Sequence, residues 1–407
     1  MFSMRSVYLD HAAATPLDLR AREVMLPFLD ELYSNPSSFH SAGKAVKDAM
    51  DEARQSVAKI LGTRADEIIF TSGGTESNNL AILGFSHAIK ASIKNPQIII
   101  STIEHPSVIE TVKYLQEKEG FSVTYLSVDA RGMVRPDDLK DALTPQTVLV
   151  SIMYANNEIG TIQPIAELGK IIQKFRASLP MSNCQLPVFH TDACQASGVL
   201  ELNIEKLHVD MLTLNGSKIY GPKGAGVLYV KRGIKLQPLQ FGGSQEKTLR
   251  PGTENVAGII GLAKALELAQ TERQAEVRRL VPLRDKLIAG ILKLPKTRLN
   301  GHPTERLPNN VNISFMDIEG EALILYLDAQ GVYASTGSAC TSASLEPSHV
   351  ILALGLPYEV AHGSIRFSLG RSTIEEDIDY VLKILPPLVE KLRSISPVRV
   401  DEKYYVR

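Results

Sequence analysis

Short apolar runs alternate with stretches of helical periodicity from about residue 16 to residue 260. The runs with the length and composition of strands are 68–70, 97–101, 122–128, 148–153, 188–190 and 211–214. Between them, apolar residues recur at helical spacing, as in 75–89, 107–119 and 165–175. Alternation of this kind predicts an α/β fold whose mostly parallel sheet is covered by helices on both faces.

The pattern changes after residue 260. Two long helical patterns, 262–293 and 374–392, flank short strand patterns at 312–315 and 364–367. The chain of 407 residues also exceeds the usual size of a single hydrophobic core. We therefore predict a large domain over 16–260 and a smaller α/β domain over 261–407, completed by residues 1–15.

The composition is that of an ordinary soluble globular protein, with 44% hydrophobic and 22% charged residues. The net charge of -1 does not favour a nucleic-acid partner, and no apolar run approaches the roughly 18 residues of a membrane-spanning helix. The first ten residues lack the apolar stretch of a secretory signal. We expect a cytoplasmic protein with neither a membrane nor a nucleic acid as its partner.

The three cysteines are too few and too scattered for a disulfide framework or a zinc site. We interpret Cys184 and Cys194 as incidental. Cys340 differs because residues 334–344 are almost all small or hydroxylic, which predicts a mobile loop. Such a loop would let the thiol visit a buried site and then reach the surface.

Lys218 lies directly after the apolar run 211–214, at the start of a turn rich in glycine and proline. A second apolar run, 227–230, follows this turn. A lysine held at the rim of a buried strand can bind an aldehyde as an imine. The alternative interpretation is a solvated lysine in a hairpin.

The segment Thr-Ser-Gly-Gly-Thr-Glu-Ser-Asn-Asn at 71–79 follows a predicted strand and opens a predicted helix. Its glycines let the backbone approach a ligand closely, and the start of a helix offers free amides and a partial positive charge. Gly74 and Thr75 are therefore candidates for a phosphate cradle. An ordinary helix N-cap is the alternative.

Further polar side chains follow other predicted strands, and parallel strands present their carboxyl ends at one rim. His105 can lie over an aromatic ligand or move protons, and Asp192 can hold a basic ring nitrogen in its protonated form. Gln195 can contact a ring hydroxyl, and Asn156 and Asn157 add amide donors. A loop histidine, an N-cap aspartate and turn asparagines are the alternatives.

Arg366, in the strand pattern 364–367, is a candidate bidentate clamp for a substrate carboxylate, with a structural ion pair as the alternative. Together, the lysine, the phosphate cradle, the aspartate, the histidine and the arginine suit a phosphorylated pyridine aldehyde. Pyridoxal 5′-phosphate has this aldehyde, phosphate and pyridinium.

These motifs resemble the cysteine desulfurase family, the NifS/IscS-like branch of the fold-type-I pyridoxal phosphate enzymes in the class-V aminotransferase group. The similar segments run almost from end to end: Tyr-Leu-Asp-His-Ala-Ala-Ala-Thr-Pro at 8–16, Asn-Pro-Ser-Ser at 35–38, 71–79, Glu-His at 104–105, Asn-Asn-Glu-Ile-Gly at 156–160, Thr-Asp-Ala-Cys-Gln at 191–195, Lys-Ile-Tyr-Gly-Pro-Lys-Gly at 218–224, Arg-Pro-Gly-Thr-Glu-Asn at 250–255 and Ser-Ala-Cys-Thr-Ser-Ala-Ser-Leu-Glu-Pro at 338–347. The resemblance implies a large domain with a mostly parallel seven-stranded sheet, and a smaller α/β domain that carries the cysteine loop.

The resemblance also implies a set of cofactor-binding residues: Gly74, Thr75, His105, Asn156, Asp192, Gln195, Asn215, Ser217, Lys218 and Thr253. In the family, the lysine binds the aldehyde, and the residue at the position of Thr253 reaches the phosphate of a neighbouring subunit, which implies a homodimer. The family usually has a histidine directly before the lysine and a serine two residues before that histidine. Here Ser217 and Asn215 stand at those positions, and serine can donate to a phosphate but carries no charge.

The activity implied is the removal of sulfur from L-cysteine, which gives L-alanine and a persulfide on Cys340. Lys218, Cys340 and His105 would be catalytic, and Asn156, Arg366 and Asn35 would bind the substrate. The persulfide sulfur would pass to acceptor proteins, such as an iron-sulfur scaffold, or to tRNA thiolation. No resident metal is expected, although Cys340 is a candidate transient ligand of an iron-sulfur cluster.

Two alternatives remain open at this stage. The first is a selenocysteine lyase or an aminotransferase on the same fold, although neither needs a long loop of small residues that bears a thiol. The second is a non-catalytic scaffold for sulfur transfer, although the chain retains the lysine, the aspartate and the thiol.

Overall fold

A seven-stranded sheet forms the centre of the computed structural model, which describes residues 5–179, 185–337 and 347–405. With β1 assigned to Val7–Tyr8, its strands are β2 (Ile68–Thr71), β3 (Gln97–Ser101), β4 (Ser122–Leu126), β5 (Thr147–Ser151), β6 (Val188–Asp192), β7 (Met211–Asn215) and β8 (Gly226–Val230). Their order is β2-β8-β7-β6-β5-β3-β4. All neighbours are parallel except β8, which is antiparallel to both β2 and β7. The predicted mostly parallel seven-stranded sheet is therefore confirmed.

The α-helices link the strands of the structure and cover its sheets. They are α1 (Leu19–Met25), α2 (Pro27–Asp30), α3 (Ser41–Leu61), α4 (Gly74–Asn79), α5 (Phe85–Ile89), α6 (Pro106–Glu119), α7 (Pro136–Ala142), α8 (Ile165–Ser178), α9 (Ile204–Leu207), α10 (Val256–Ile291), α11 (Gly320–Asp328), α12 (His349–Ala353), α13 (Tyr358–His362) and α14 (Glu375–Ile395). A π-helical turn, Leu80–Gly84, joins α4 to α5, so the predicted helix 75–89 is continuous but not regular. None of the helices among the described residues is long and apolar enough to cross a membrane.

Successive residues of the central strands point into different cores. Ile99 of β3 packs in one hydrophobic cluster, with Val150 and Phe189, whereas Ile98 and Ile100 pack in a second cluster on the other face. This arrangement follows from the alternation of side chains along a strand that is buried on both faces. Hydrophobic clusters therefore pack against both faces of the sheet, and polar residues lie at the carboxyl ends of its strands.

A second, four-stranded sheet follows in the chain. It consists of β9 (Thr297–Leu299), β10 (Asn310–Phe315), β12 (Ser335–Thr336) and β13 (Ser364–Ser368), in the antiparallel order β12-β13-β10-β9. The remaining strand, β11 (Val332–Tyr333), pairs in parallel with β1 near the N-terminus. Helix α10 runs without interruption through the predicted boundary at residue 260, so the division into 16–260 and 1–15 with 261–407 stays a prediction.

One buried titratable residue in the central sheet gives the fold a specific dependence on pH. His190 of β6 is fully buried, and its two ring nitrogens form hydrogen bonds with the hydroxyls of Ser151 on β5 at 2.8 Å and Thr213 on β7 at 3.0 Å. Burial lowers the pKa of His190 from 6.5 to about 4. The folded state therefore favours the neutral ring.

We predict that His190 makes the fold less stable as the pH falls from 6.5 towards about 4. In that window the unfolded chain binds a proton that the folded chain excludes. Each pH unit therefore lowers the free energy of unfolding by at most about 1.4 kcal/mol. Denaturant titrations of the wild type and His190→Gln over this range measure the effect. The difference in unfolding free energy between the two proteins should shift in favour of the variant as the pH falls. A difference that does not change with pH would contradict the prediction.

Candidate active site

A cavity of about 400 Å³ opens at the carboxyl edge of the central sheet. Residues that were predicted separately from the sequence line it together: Gly74, Thr75, His105, Asp192, Gln195, Asn215, Lys218 and Arg366. All but Arg366 lie at or just after the ends of central strands, as expected for a parallel sheet. Arg366 comes from β13 of the second sheet, so both sheets contribute to the cavity wall.

The lysine lies on a tight turn that its neighbours fix. Asn215 ends β7, and its side-chain oxygen accepts hydrogen bonds from the backbone N–H of Ser217 at 3.0 Å and from the hydroxyl of Ser217 at 3.1 Å. The backbone carbonyl of Ser217 in turn accepts from the N–H and the hydroxyl of Thr15, both at 3.0 Å. Nζ of Lys218 donates to the carbonyl of Ala13 at 2.5 Å. The strands β7 and β8 form an antiparallel hairpin, as the alternative interpretation of a lysine in a hairpin expected. However, Lys218 lines the cavity.

The Asp192 carboxylate is largely buried at the end of β6 and is oriented by two donors. The amide of Asn78 donates to Oδ2 at 2.7 Å, and the backbone N–H of Cys194 donates to Oδ1 at 2.9 Å. Asn78 also donates to the hydroxyl of Ser107 at 2.9 Å, and that hydroxyl lies 2.8 Å from Nδ1 of His105. A buried chain of hydrogen bonds therefore joins the aspartate to the histidine. Such a chain holds both side chains in one geometry.

Gly74 begins α4 and lines the cavity. A Cβ atom at this position would lie 2.8 Å from Sγ of Cys194 and 3.6 Å from Nδ2 of Asn215, so a larger residue would displace its neighbours. Thr75 follows on the exposed side of the cavity. The start of the helix thus presents backbone amides and one hydroxyl to the cavity, which suits an anionic group.

Arg366 is both an ion-pair partner and a wall of the cavity. Arg366 is 2% exposed, and its guanidinium donates to Oδ1 of Asp10 at 2.8 Å and to the carbonyl of Asn157 at 3.0 Å. The structural ion pair considered from the sequence is therefore present. However, Nε of Arg366 is buried and has no hydrogen-bond partner among the residues described here. A buried donor without a partner is costly, and a ligand carboxylate would satisfy it.

The two adjacent asparagines have different roles. The amide of Asn156 is fully buried, donates to the carbonyl of Ile103 at 2.9 Å and accepts from the backbone N–H groups of Glu158 and Ile159 at 2.8 and 3.0 Å. These hydrogen bonds stabilise the backbone of the loop. Asn156 does not line the cavity, whereas Asn157 does. These contacts favour Asn157 over Asn156 for the ligand-binding role, which we propose below; the role of Asn156 stays a prediction.

Three other predicted residues do not line the cavity within this chain. The hydroxyl of Ser217 points back to Asn215, Asn35 accepts a hydrogen bond from the backbone N–H of Ser37 on the surface, and Thr253 is exposed. The roles of Asn35 and Thr253 stay predictions. The catalytic prediction for Cys340 lies outside the described residues, as does Cys184.

Several lining residues were missed by the sequence analysis, or named without a ligand role. Asn78 lies within the quoted motif 71–79, and Glu158 within 156–160, so the motifs contained a signal that was not used. Cys194, interpreted as incidental, lies directly beside Gly74. The sequence around His349 gives no indication of a role at the cavity. Only the fold brings its Nε2 to 3.0 Å from the carbonyl oxygen of Glu104.

Burial shifts the pKa of two carboxyls near the cavity. Glu104 is fully buried, and burial raises its pKa to about 8, although Ser101 and the backbone N–H of Met153 donate to it. Glu158 is 4% exposed, and burial raises its pKa to about 7. The site is therefore a place of low polarity in which charge is expensive.

Comparison with known proteins agrees with this geometry. The Aminotransferase class-V family profile matches residues 7–381. The cysteine desulfurase IscS of Methanosarcina thermophila is 52% identical over 398 residues, which cover 98% of this chain and 95% of that protein. The chain belongs to the class-V aminotransferase family, among its cysteine desulfurases. The resemblance seen in the sequence motifs is thereby confirmed.

Solved structures of family members have the same fold. A NifS-like protein superposes with a TM-score of 0.87 at 38% identity and covers 95% of this chain and 100% of its own. SspA, solved in complex with cysteine, superposes with a TM-score of 0.77 at 34% identity and covers 91% of this chain and 100% of its own. The α/β architecture predicted from the sequence is therefore that of the family.

The position of Cys194 gives a prediction about thiol reactivity. Burial of the thiol and the nearby Asp192 carboxylate raise the pKa of Cys194 well above its ordinary value. The thiolate is the reactive form, so iodoacetamide should modify Cys194 in the folded protein at least about tenfold more slowly than in the unfolded chain. Peptide mapping by mass spectrometry after timed alkylation measures both rates. Equal rates in the two states would show that the thiol is not protected.

Proposed function

We propose that this chain is a pyridoxal 5′-phosphate-dependent cysteine desulfurase that converts L-cysteine to L-alanine and transfers the sulfur to Cys340. The observation that carries the proposal is the convergence of Lys218, Asp192 and Arg366 on one cavity. These three side chains offer an amine, a carboxylate and a guanidinium from three separate parts of the chain. Relatives named cysteine desulfurase at about half identity support the same conclusion.

The residues present fit the cofactor. The cavity volume is within the range of small-molecule sites, roughly 300–1,000 Å³. Asp192 would pair with the ring nitrogen, Gln195 would contact the ring hydroxyl, and His105 would lie over the ring. Gly74 and Thr75, with Asn215, would hold the phosphate. The close backbone approach at Gly74 and the two donors that orient Asp192 are the structural observations that support this fit.

When bound, the cofactor supplies an electron sink for the substrate carbon. Lys218 would bind the cofactor aldehyde and, once released, take the proton from the substrate Cα at Nζ. The tight turn and the carbonyl of Ala13 hold this amine at the cavity wall. His105, fixed through Ser107 and Asn78, would return protons to the product.

The substrate carboxylate would bind between Arg366 and Asn157. The guanidinium is already oriented by Asp10 and by the carbonyl of Asn157, so little side-chain entropy is lost on binding. Asn157 lines the cavity beside it and would add an amide donor. A related structure, SspA, was solved in complex with cysteine.

The sulfur step would involve Cys340. Its thiolate would attack the substrate sulfur, an S–S bond would form as the Cβ–S bond breaks, and the carbon would gain a proton to become the methyl group of alanine. Gly337 lines the cavity, and three residues of chain span at most roughly 11 Å. The length of chain would therefore allow a thiol at residue 340 to reach the substrate.

The oligomeric state and the partners belong to the same proposal. Several large apolar side chains are strongly exposed, among them Leu29, Tyr33, Phe39 and Phe241. Strong exposure of several large apolar side chains is typical of protein interfaces and supports a homodimer, in which Thr253 would reach the neighbouring cofactor phosphate. The persulfide would be delivered, in the cytoplasm, to acceptors in iron-sulfur cluster assembly or tRNA thiolation.

We predict that two substitutions separate cofactor binding from sulfur transfer. Cys340→Ser should keep the visible absorption of the bound cofactor but lose persulfide and alanine formation. Lys218→Ala should lower alanine formation by more than about 10²-fold, because the general base is lost. The measurements are absorption spectra, mass spectrometry of the persulfide and an assay of alanine from L-cysteine.

The same measurements identify the alternatives. Undiminished alanine formation by Cys340→Ser would overturn the assignment of the nucleophile. A keto acid as the main product would indicate an aminotransferase, and a strong preference for selenocysteine would indicate a lyase. A protein that stays colourless after pyridoxal phosphate is added would indicate a scaffold.

The two asparagines give a matched pair of variants. Asn157→Ala should raise KM for L-cysteine about tenfold, which corresponds to about 1.4 kcal/mol of lost substrate binding. Asn156→Ala should instead lower the melting temperature, because the carbonyl of Ile103 and two backbone N–H groups lose their partner. Steady-state kinetics and thermal melts of both variants test the reassignment. It fails if Asn156→Ala raises KM while Asn157→Ala does not.

A further inference from the structure

Glu158 is a buried carboxyl in the cavity wall that the proposed reaction does not use. Its backbone is held firmly: its N–H donates to Asn156 Oδ1 at 2.8 Å, and its carbonyl accepts from the amides of Asn310 and Asn312 at 3.1 and 3.2 Å. Two of these partners lie on β10 of the second sheet. The residue is 4% exposed. Its side chain therefore has little freedom to leave the cavity wall.

The carboxyl group shares the cavity wall with Arg366. Glu158 and Arg366 line the same cavity, and the Arg366 guanidinium is close enough to favour the charged carboxylate. The hydroxyl of Ser348 donates to Oε2 at 2.5 Å. The backbone at Gly337 packs so closely that a Cβ there would lie 2.4 Å from the same oxygen. Burial nevertheless outweighs these contacts and raises the pKa of Glu158 to about 7, so both protonation states are accessible near neutral pH.

A bound carboxylate would disturb this balance of charges. Arg366 already pairs with Asp10 at 2.8 Å, so a substrate carboxylate and a charged Glu158 would place three anions around one buried guanidinium. Like charges in a buried site disfavour each other strongly, and one of them is neutralised instead. Glu158 is the group best suited to accept the proton, because Asp10 is in direct contact with the cation.

We propose that Glu158 is a proton-accepting residue of the substrate subsite, which takes up one proton from solvent when a carboxylate ligand binds at Arg366. The neutral carboxyl then leaves the positive charge of Arg366 to the ligand. This inference rests on the proposed function only for the choice of Arg366 as the carboxylate clamp. It makes Glu158 a positioning residue, because it acts through Arg366 and need not touch the reacting atoms.

Other titratable groups around this cavity must be separated from Glu158. They are Asp10 after β1, His105 before α6, Asp192 on β6, Lys218 after β7 and His349 at the start of α12. Burial lowers the pKa of His349, so it favours its neutral form. His105 faces Glu158 and favours its charged form. A test therefore has to compare variants of Glu158 itself and of a neighbouring histidine.

The test uses the cofactor-loaded protein and 3-mercaptopropionate, a carboxylate that has the thiol of cysteine but no amino group. Calorimetric titrations in buffers of different ionisation enthalpy count the protons taken up on binding. The wild type should take up protons near and above neutral pH, and the dissociation constant should rise up to about tenfold per pH unit on the alkaline side. Glu158→Gln should bind without this uptake and with a flatter pH profile.

Two further variants keep the inference falsifiable if Glu158→Gln folds poorly. Ser348→Ala removes the donor that stabilises the charged carboxylate, so its proton uptake should persist to higher pH than in the wild type. His349→Gln should leave the uptake unchanged. Equal uptake by wild type and Glu158→Gln, or no shift in Ser348→Ala, would overturn the inference.

The same experiment distinguishes a failure of the inference from a failure of the proposed function. The ligand lacks the amino group and cannot be turned over, so proton uptake is independent of alanine formation. A protein inactive on L-cysteine that still shows Glu158-dependent uptake would contradict the proposed activity alone. Full desulfurase activity without such uptake would contradict the inference alone. No binding of 3-mercaptopropionate to the active wild type would also overturn it, because Arg366 would not be acting as a carboxylate clamp.

Discussion

The buried carboxylate of Asp192 is the constraint around which the cavity is organised. A charge at the end of a central strand is tolerated only if donors surround it, because burial of an unpaired carboxylate costs several kcal/mol. Asn78 from α4 and the N–H of Cys194 supply these donors. Asn78 also forms a hydrogen bond with Ser107, which forms one with His105. The need to stabilise the Asp192 carboxylate therefore positions the segments that carry Asn78, Cys194 and His105. A ligand with a protonated ring nitrogen would be a further donor to the Asp192 carboxylate.

The N-terminal segment connects this aspartate edge to the second sheet. Asp10 pairs with Arg366, and the backbone N–H of Ala12 donates to the hydroxyl of Ser368 on β13 at 2.9 Å. The carbonyls of Ala12 and Ala13 accept from Gln195 and Lys218. A stretch of four residues, 10–13, thus touches the lysine, the glutamine and the arginine at once. The small side chains of Ala12 and Ala13 line the cavity together with Lys218 and leave its volume to a ligand.

Sequence reasoning recovered the strands because an apolar run buried on both faces has few alternatives. It also identified Lys218, Asp192 and Arg366 as candidate ligand-binding residues, because their residue types and their positions in or near the end of a strand indicate this chemistry. It could not separate two neighbours of the same residue type, because only the fold shows that Asn156 forms backbone hydrogen bonds and that Asn157 lines the cavity. It also undervalued Cys194 and Glu158, since only tertiary packing shows what a side chain faces.

The charges in the cavity explain why one carboxyl should be neutral. Lys218 and Arg366 provide two cations, and Asp10 and Asp192 already provide two anions, so these four groups are balanced. A charged Glu158 would make the wall net negative, in a place where low polarity strengthens every interaction. The phosphate and carboxylate groups of the expected ligands would then meet repulsion, and Ser217 contributes no positive charge to offset it. A neutral Glu158 keeps the donors of Arg366 and the amides of α4 available to those anions.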